Sequence, residues 1–473
     1  MNLNYLKFGT IGLFWLVGTS GIYAQQLTDK SEIQLNDLSA FNNPGKSWTV
    51  AEKVLSDPKK VNQLILSKGT GILVNSTSNK EKGADLLTKE LHGNIILELD
   101  YMMANHSNSG IYLQGNYEVQ LLDSWGVLHP TSGDNGGIYE RWDDSKPNGS
   151  GYAPRQNASK APGLWQRIKI AFQAPQFDAS GNKVANARML SVELNGVLVQ
   201  ENVELFGATA GALDKEKTLG PLRLQGDHGS VAFKNIKISK LPEDRLNGRN
   251  RNNGGDDPIY VDAPTNTNIR SFIHYGANKI AVHAISVGSP LKTHYAYDMD
   301  NGIILHAWHG EFLDATPMWH GRGNATSRAR GAVTSFVKNA VPTIAQLANA
   351  QATWPADTAN ASFKSKGYTL DAEDRPQFKY QMYGTGVTDI IQVTNNGKSL
   401  SRSITLDKPV NNLYHLLANA NTIDEISKGL YLIDGSYYLE LAKGASKPII
   451  RDAKEGKELI ILLDKPLNYS ILF

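Results

Sequence analysis

The chain has 473 residues, 41% hydrophobic and 20% charged, with 48 Lys and Arg against 46 Asp and Glu. That near-neutral balance leaves no basic footprint for nucleic acid or for an anionic membrane surface. It contains no cysteine, which excludes a disulfide framework, a thiolate metal site and a lipid-modified cysteine behind a leader.

Residues 1–24 carry one early cation, Lys7, an apolar run over residues 11–17, and a short polar stretch ending in Ile22-Tyr23-Ala24. The pattern is that of a secretory signal peptide cut between Ala24 and Gln25. The apolar run is too short to span a bilayer, and no other segment approaches transmembrane length. A soluble exported protein is therefore expected, periplasmic or secreted. The mature chain is long enough for two domains with separate cores. With 43 glycines and few long amphipathic helical patterns, the expected class is all-β.

Residues 33–66 open with Leu38, Phe41, Trp48 and a strand over residues 63–66. Residues 94–102 alternate Ile95, Leu97 and Leu99 against Ile96, Glu98 and Asp100, a strand with one wetter face. Residues 108–123 then read as a hairpin, residues 111–113 and 117–122, turning at Gln114-Gly115-Asn116. Strand alternation puts Val119 and Leu121 on one face and Glu118 and Gln120 on the other. A carboxylate beside an amide suits sugar hydroxyls, which need both acceptors and donors; a half-exposed hairpin with polar residues facing water is the plainer alternative.

Residues 124–162 are loop-rich, and loops of that length are usually functional or disordered. They hold Trp125, Tyr139, Arg141, Trp142 and Tyr152, which either wall a groove or pack beneath the loop. Residues 165–172 form a half-buried strand, and residues 190–200 a hairpin turning at Asn195-Gly196. Along residues 231–238 the alternation slips at Lys234-Asn235, which predicts a β-bulge. Many short alternating strands joined by turns give a sandwich or jelly roll. Residues 241–258 contain almost nothing to bury and read as a flexible linker.

In residues 259–473, six of the eleven histidines fall between His274 and His320, alongside Trp308, Trp319 and Arg322. Their spacing fits no standard ligand set, so packing and surface roles are the default. Strands are expected over residues 367–371, 376–380, 389–394 and 459–463, with one short helix over residues 340–350. This half reads as a second β-rich, sandwich-like domain.

Several stretches recur in a known order. They are Asn108-Ser109-Gly110-Ile111, Tyr117 to Asp123, Gly136-Gly137-Ile138-Tyr139, Trp165-Gln166, Leu194-Asn195-Gly196-Val197, Gly220 to Gln225, Asp227-His228-Gly229 and Phe233-Lys234-Asn235-Ile236. Over about residues 38–240 this set resembles the 3-keto-disaccharide hydrolase family. The resemblance implies a concanavalin-like β-sandwich that binds ligand on its concave sheet face, and residues 25–240 as the unit that carries it. The implied substrate is a 3-keto-glycoside, whose ketone acidifies the C2 hydrogen so that a base can remove it and the C1 oxygen can leave. Glu118, Asp123 and His228 are the matching candidates for catalysis. Asn108, Gln120, Tyr139, Arg141 and Gln225 are the candidates for substrate binding, with Arg141 or a divalent cation held by Glu118 or Asp123 stabilising the enolate. A non-catalytic carbohydrate-binding protein is the alternative. From Val287-Gly288 through Gly321-Arg322-Gly323, the second half is similar to an uncharacterised module of large exported multidomain bacterial proteins. Oligomeric state is left open.

The leader makes a direct prediction. N-terminal sequencing of the exported protein is expected to start at Gln25; a retained Met1, or recovery only with salt-washed membranes, would count against it.

Overall fold

The computed structural model describes residues 30–141, 150–242, 257–321 and 325–473. The expected signal peptide, most of the expected linker, Trp142 and Arg322 lie outside these. The described residues are nearly all β, with 53% strand and 1% helix. No helix among them is long and apolar enough to cross a membrane.

The first half is a sandwich of two antiparallel sheets. The eight-stranded sheet runs Val197–Leu205, Ala187–Leu194, Trp165–Gln173, Ile95–Met103, Val231–Lys240, Ile65–Asn75 and Trp48–Leu55, with Lys30–Glu32 also paired to Val231–Lys240. The five-stranded sheet runs Phe41–Asn42, Leu86–His92, Gly220–Leu224, Asn108–Leu113 and Tyr117–Leu122. Alternation decides which residues meet between them. Leu97, Leu99, Ile168, Ile170 and Phe172 from the larger sheet pack on Ile111, Leu113, Val119, Leu121, Leu222 and Leu224 from the smaller. Each of these eleven side chains is at most 1% exposed, which makes this layer the driving burial of the domain.

The expected turns have their physical basis in the backbone. Asn195 and Gly196 take φ of 51° and 82°, the left-handed pair that a two-residue hairpin requires, and Leu194 pairs with Val197. Gln114 and Gly115 take φ of 55° and 71° in the three-residue turn that joins Leu113 to Tyr117. The register slips between Lys234 and Lys237, with Asn235 at φ 54°, so the bulge lies where the alternation broke. The strand expected over residues 63–66 instead spans Ile65–Asn75. Its apolar start is outside the core, with Ile65 44% and Leu66 38% exposed.

The second half has three larger antiparallel sheets. A six-stranded sheet is built around Lys279–Gly288, Thr293–Asp298 and Ile303–Asp314. A four-stranded sheet runs Ile344–Gln346, Leu413–Ala420, Lys457–Leu462 and Ile449–Asp452. An eight-stranded sheet runs Lys364–Leu370, Pro376–Met382, Thr385–Thr394, Ser399–Leu406, Leu467–Leu472, Tyr437–Leu441, Leu430–Ile433 and Ile423–Ser427. All four strand expectations for this half fall on these elements. The helix expected over residues 340–350 does not form: Ile344–Gln346 is a strand paired to Leu413, Tyr414 and His415. Pro342, which blocks helix continuation, and the β-branched Thr343-Ile344 explain that outcome. The α-helix found among the described residues is Thr316–His320, with proline in its first turn.

The halves are joined by more than a linker. Ala161 and Leu164 of the first half share a buried cluster with Leu430, Leu432, Tyr438 and Leu472 of the second. The Tyr438 hydroxyl donates to the Ser56 carbonyl at 3.0 Å, and Lys53 pairs with Asp424 at 2.6 Å. Gly163, at φ 81°, is what lets Tyr438 in, since a Cβ there would overlap its hydroxyl. Cutting the chain at residue 240 would strip this cover from Ala161 and Leu164.

Tyr438→Ala removes the central ring of this seam. Denaturant melts of the full chain are expected to show a loss of about 3–5 kcal/mol, the usual range for truncating a buried aromatic, and a change below about 1 kcal/mol would show that the seam contributes little.

Candidate active site

The candidate site lies on the face of the five-stranded sheet turned away from the sandwich core. Its frame is the strand pair Asn108–Leu113 and Tyr117–Leu122, in which Tyr112 is opposite Glu118, Gly110 opposite Gln120 and Asn108 opposite Leu122. On the neighbouring strand Arg223 is opposite Tyr112. The sequence periodicity therefore gathers Asn108, Gly110, Tyr112, Glu118, Gln120 and Arg223 on one surface.

Glu118 is the centre of this surface. It is 1% exposed, and its carboxylate lies over Gly110, where any Cβ would overlap Oε1. Glycine is required at that position because the carboxylate occupies the space of a side chain. The Glu118 backbone N–H donates to Thr209 Oγ1 at 3.0 Å, and its carbonyl accepts the Tyr139 N–H at 3.1 Å, so neighbours on both sides anchor the strand. Burial pushes the Glu118 carboxyl up from the usual 4.5 to about 7. The Tyr112 hydroxyl and the Arg223 guanidinium draw it back down, while the carboxylates of Asp85 and Asp227 add to the rise. A carboxyl so placed is half ionised near neutral pH, where a base or acid is most effective.

Arg223 is held in three ways. It pairs with Asp85 at 2.5 Å, donates to the Gly211 carbonyl at 2.6 Å, and stacks over the Tyr112 ring with 4.2 Å to the centroid. Asp85 also accepts the Gly226 N–H at 3.1 Å, which ties the ion pair to the loop carrying Asp227 and His228. Arg223, Tyr112 and Asp85 were not singled out by the sequence reading. The signal that could have found Arg223 was present, because it alternates with Gln225 along a strand whose other residues, Leu222 and Leu224, are plainly core.

The remaining expected residues divide into two groups. Gln120 donates to Asn108 Oδ1 at 2.8 Å, a pair of amides beside Glu118. Gln225 contributes a buried Oε1 that meets no donor among the described residues. Tyr139 is half-buried, and its hydroxyl is raised by burial and by the charges of Glu140 and Glu118. His228 is exposed at the rim, paired through Nδ1 with Asp227. Asp123 and Arg141 are engaged elsewhere. Asp123 accepts the backbone N–H groups of His106 at 2.9 Å and Trp125 at 3.4 Å, so both its oxygens brace the chain where it leaves the hairpin. Arg141 donates to Ser150 Oγ at 3.0 Å and lies 6.0 Å from the Phe206 ring centroid. The guanidinium facing Glu118 is that of Arg223.

A divalent cation does not fit these side chains. Arg223 already supplies positive charge at Glu118, and the Asp123 oxygens are taken by backbone donors. Among the described residues no group of three or more His, Asp or Glu could hold a metal ion.

The loop of residues 124–162 is anchored as well as long. Ile138 bridges to Val119 and Tyr152, while Gly136, Gly137 and Tyr139 exchange backbone hydrogen bonds with Gln120 and Glu118. Asn135, buried, accepts from the Tyr101 hydroxyl at 2.8 Å and donates to Ser159 at 3.0 Å. Of its aromatic residues Tyr139 borders the site, whereas Trp125 packs into the seam between the halves, next to Lys398.

Four histidines of the second half, His294, His306, His309 and His415, are buried in its core, while His274, His283 and His320 are exposed. His294 accepts the Ser289 N–H at 3.1 Å and donates to the Gly310 carbonyl at 2.9 Å. His309 lies between Thr293 Oγ1 at 3.0 Å and the Phe473 carbonyl at 3.1 Å. Burial drives His294 down to about 3 and His306 and His309 down to about 4, so all three are neutral packing groups. Trp308 is fully buried and donates to the Glu311 and Phe312 carbonyls, so it is a core group of the second half.

The buried carboxyl makes a stability prediction whose sign is fixed. Its folded-state value is raised, so its cost is absent below about 4.5, grows with pH and is complete above about 7. Urea melts are expected to show Glu118→Gln more stable than the parent at pH 8, by up to about 3 kcal/mol, with the difference vanishing at pH 4. A variant less stable than the parent at pH 8 would contradict the burial cost.

Residues 32–239 match the family described as a 3-keto-alpha-glucoside-1,2-lyase-like domain. No curated protein matches the chain. Among solved structures, a candidate glycosyl hydrolase from Parabacteroides distasonis ATCC 8503 is 23% identical, covering 47% of this chain and 95% of its own, with a TM-score of 0.32. The carbohydrate binding module CBM66 from Bacillus subtilis is 12% identical, covering 41% of this chain and 96% of its own, with a TM-score of 0.21. The binding domain of botulinum neurotoxin serotype D is 11% identical over 93% of this chain and 92% of its own, with a TM-score of 0.23. The first half of the chain, residues 32–239, is a domain of the 3-keto-alpha-glucoside-1,2-lyase-like family.

Proposed function

We propose that this domain cleaves the glycosidic bond of a 3-keto-glycoside by elimination followed by hydration. The observation that carries the reading is Glu118, a buried carboxyl raised to about 7 beside the fixed cation of Arg223. In its ionised form Glu118 takes the C2 proton, and the electron pair moves onto the C3 ketone oxygen as an enolate. Arg223 and the Tyr112 hydroxyl face the negative charge as it grows, the electrostatic role that a preorganised site supplies best. The enolate then collapses, forms the C1–C2 double bond and expels the C1 oxygen, which takes a proton from Tyr139 or from the His228–Asp227 pair. Water adds at C1, so the sum is hydrolysis. The amides of Asn108, Gln120 and Gln225 would read the ring hydroxyls. This route needs one base rather than the two spaced carboxylates of an ordinary glycosidase. We assign the chain to the exported fraction on residues 1–24 alone.

A ketone at C3 is indispensable to this chemistry, so 3-keto-glucoside is expected to be cleaved and the parent glucoside to be inert. Deuterium at C2 should slow the reaction or wash out into solvent, and kcat/KM should rise with pH through about 7 as Glu118 ionises. Glu118→Gln is expected to remove at least ~100-fold of activity while the protein stays folded. Gly110→Ala should act in the same direction by displacing the carboxylate. Equal cleavage of both sugars with C2 deuterium retained would refute elimination, and turnover of neither would leave a binding protein.

A further inference from the structure

A cavity of about 740 Å³ lies in the second half, between the four-stranded and eight-stranded sheets. Its volume falls in the range of small-molecule sites. Phe336, Tyr437 and Trp354 supply aromatic surface along it, and Phe336 and Tyr437 meet edge to face with centroids 4.8 Å apart.

Two polar groups on its walls have spare hydrogen-bonding capacity. Arg402 is 3% exposed and has five N–H groups. Four are used: two toward Asp389 at 2.9 and 2.6 Å, one to the Gly302 carbonyl at 2.8 Å and one to the Tyr469 hydroxyl at 3.2 Å. The fifth, on Nη1, has no acceptor among the described residues. Tyr437 is 4% exposed, lines the cavity, and its hydroxyl makes no hydrogen bond among the described residues. Arg451 fixes the opposite wall. It pairs with Glu458 at 2.6 Å and donates to the Ala350 and Ala352 carbonyls at 2.8 and 2.6 Å, which holds Trp354 in place.

The charges of the lining cancel. Arg402 is matched by Asp389 and Arg451 by Glu458, while the exposed Lys338 and Lys454 at the mouth are offset by Asp452 and Glu455. A strongly ionic ligand would meet no net counter-charge. Aromatic surface, one spare donor from a buried guanidinium and one unpartnered hydroxyl suit a ring with an apolar face and hydroxyls on its edge. We propose that this cavity is a second ligand site, independent of Glu118, for a neutral hydroxylated ring compound of the size of an aryl glycoside or a disaccharide.

The test is calorimetric titration of the full chain with 4-nitrophenyl β-D-glucopyranoside, which has no ketone and should not be turned over. The corresponding glucuronide, which adds a carboxylate, is the comparison. Binding of the glucoside is expected, at least tenfold tighter than the glucuronide. Tyr437→Phe should weaken it about fivefold, the scale of one hydrogen bond, and leave cleavage of 3-keto-glucoside unchanged. Ala418→Trp, which fills the gap from the four-stranded sheet, should abolish it. No heat with the glucoside, tighter binding of the glucuronide, or an affinity unmoved by Tyr437→Phe would each overturn the proposal; the Tyr437 variant carries the test if Ala418→Trp does not fold.

Discussion

The first domain depends on one strand with two unlike faces. Along Tyr117–Leu122, Tyr117, Val119 and Leu121 close the sandwich core, while Glu118 and Gln120 lie on the other side, and all five are buried. Water is withheld from both faces, which separates this strand from an ordinary amphipathic edge. A carboxylate in such a place must be tolerated by its neighbours. Gly110 leaves room for it, Tyr112 and Arg223 offset its charge, and Thr209 holds its backbone. The same burial that raises its proton affinity makes it destabilising when ionised. Stability and reactivity are therefore opposed at one side chain, as is usual where a fold carries chemistry.

Placement of the site follows from what surrounds that strand. Residues 136–139 extend the sheet beyond its edge and position Tyr139, while the segment around Thr209 and Gly211 lies against Arg223 and Tyr112. The open side is bordered by Asn108, Gln225, Asp227 and His228. This arrangement accounts for the division of the expected residues. Those on the strand face converge, whereas Asp123, one residue past the strand end, and Arg141, beyond the sheet extension, are used to secure loops.

The second half is tied to the first by a seam with a buried apolar cluster, and its buried charged groups Arg402–Asp389 and Arg451–Glu458 are paired. Buried ion pairs such as Arg402–Asp389 cost desolvation that good geometry must offset, and here both partners make further bonds to fixed neighbours. Tyr297 donates to Asp389 at 2.9 Å, while Arg402 reaches the Gly302 carbonyl and Tyr469. Such a network fixes the spacing of the strands around it. That spacing leaves the gap between the sheets open.

Alternation alone determined a good deal. The face of residues 94–102, the hairpin at residues 108–123, the Asn195-Gly196 turn and the bulge at Lys234-Asn235 are local consequences of side-chain period and of residues that accept positive φ. Ordered motifs over residues 38–240 then identified the family and brought Glu118 forward. Long-range matters were decided only by tertiary structure. Which guanidinium faces Glu118 depends on the neighbouring strand being residues 220–224, where Arg223 pairs with Tyr112, far away along the chain, in a way that no local pattern encodes. Ile344 forms a strand because Leu413–His415 lies beside it. His294, His306 and His309 are neutral core groups because the sheets bury them, while His274, His283 and His320 of the same stretch are exposed; whether an imidazole is buried is set by packing, not by its spacing along the chain.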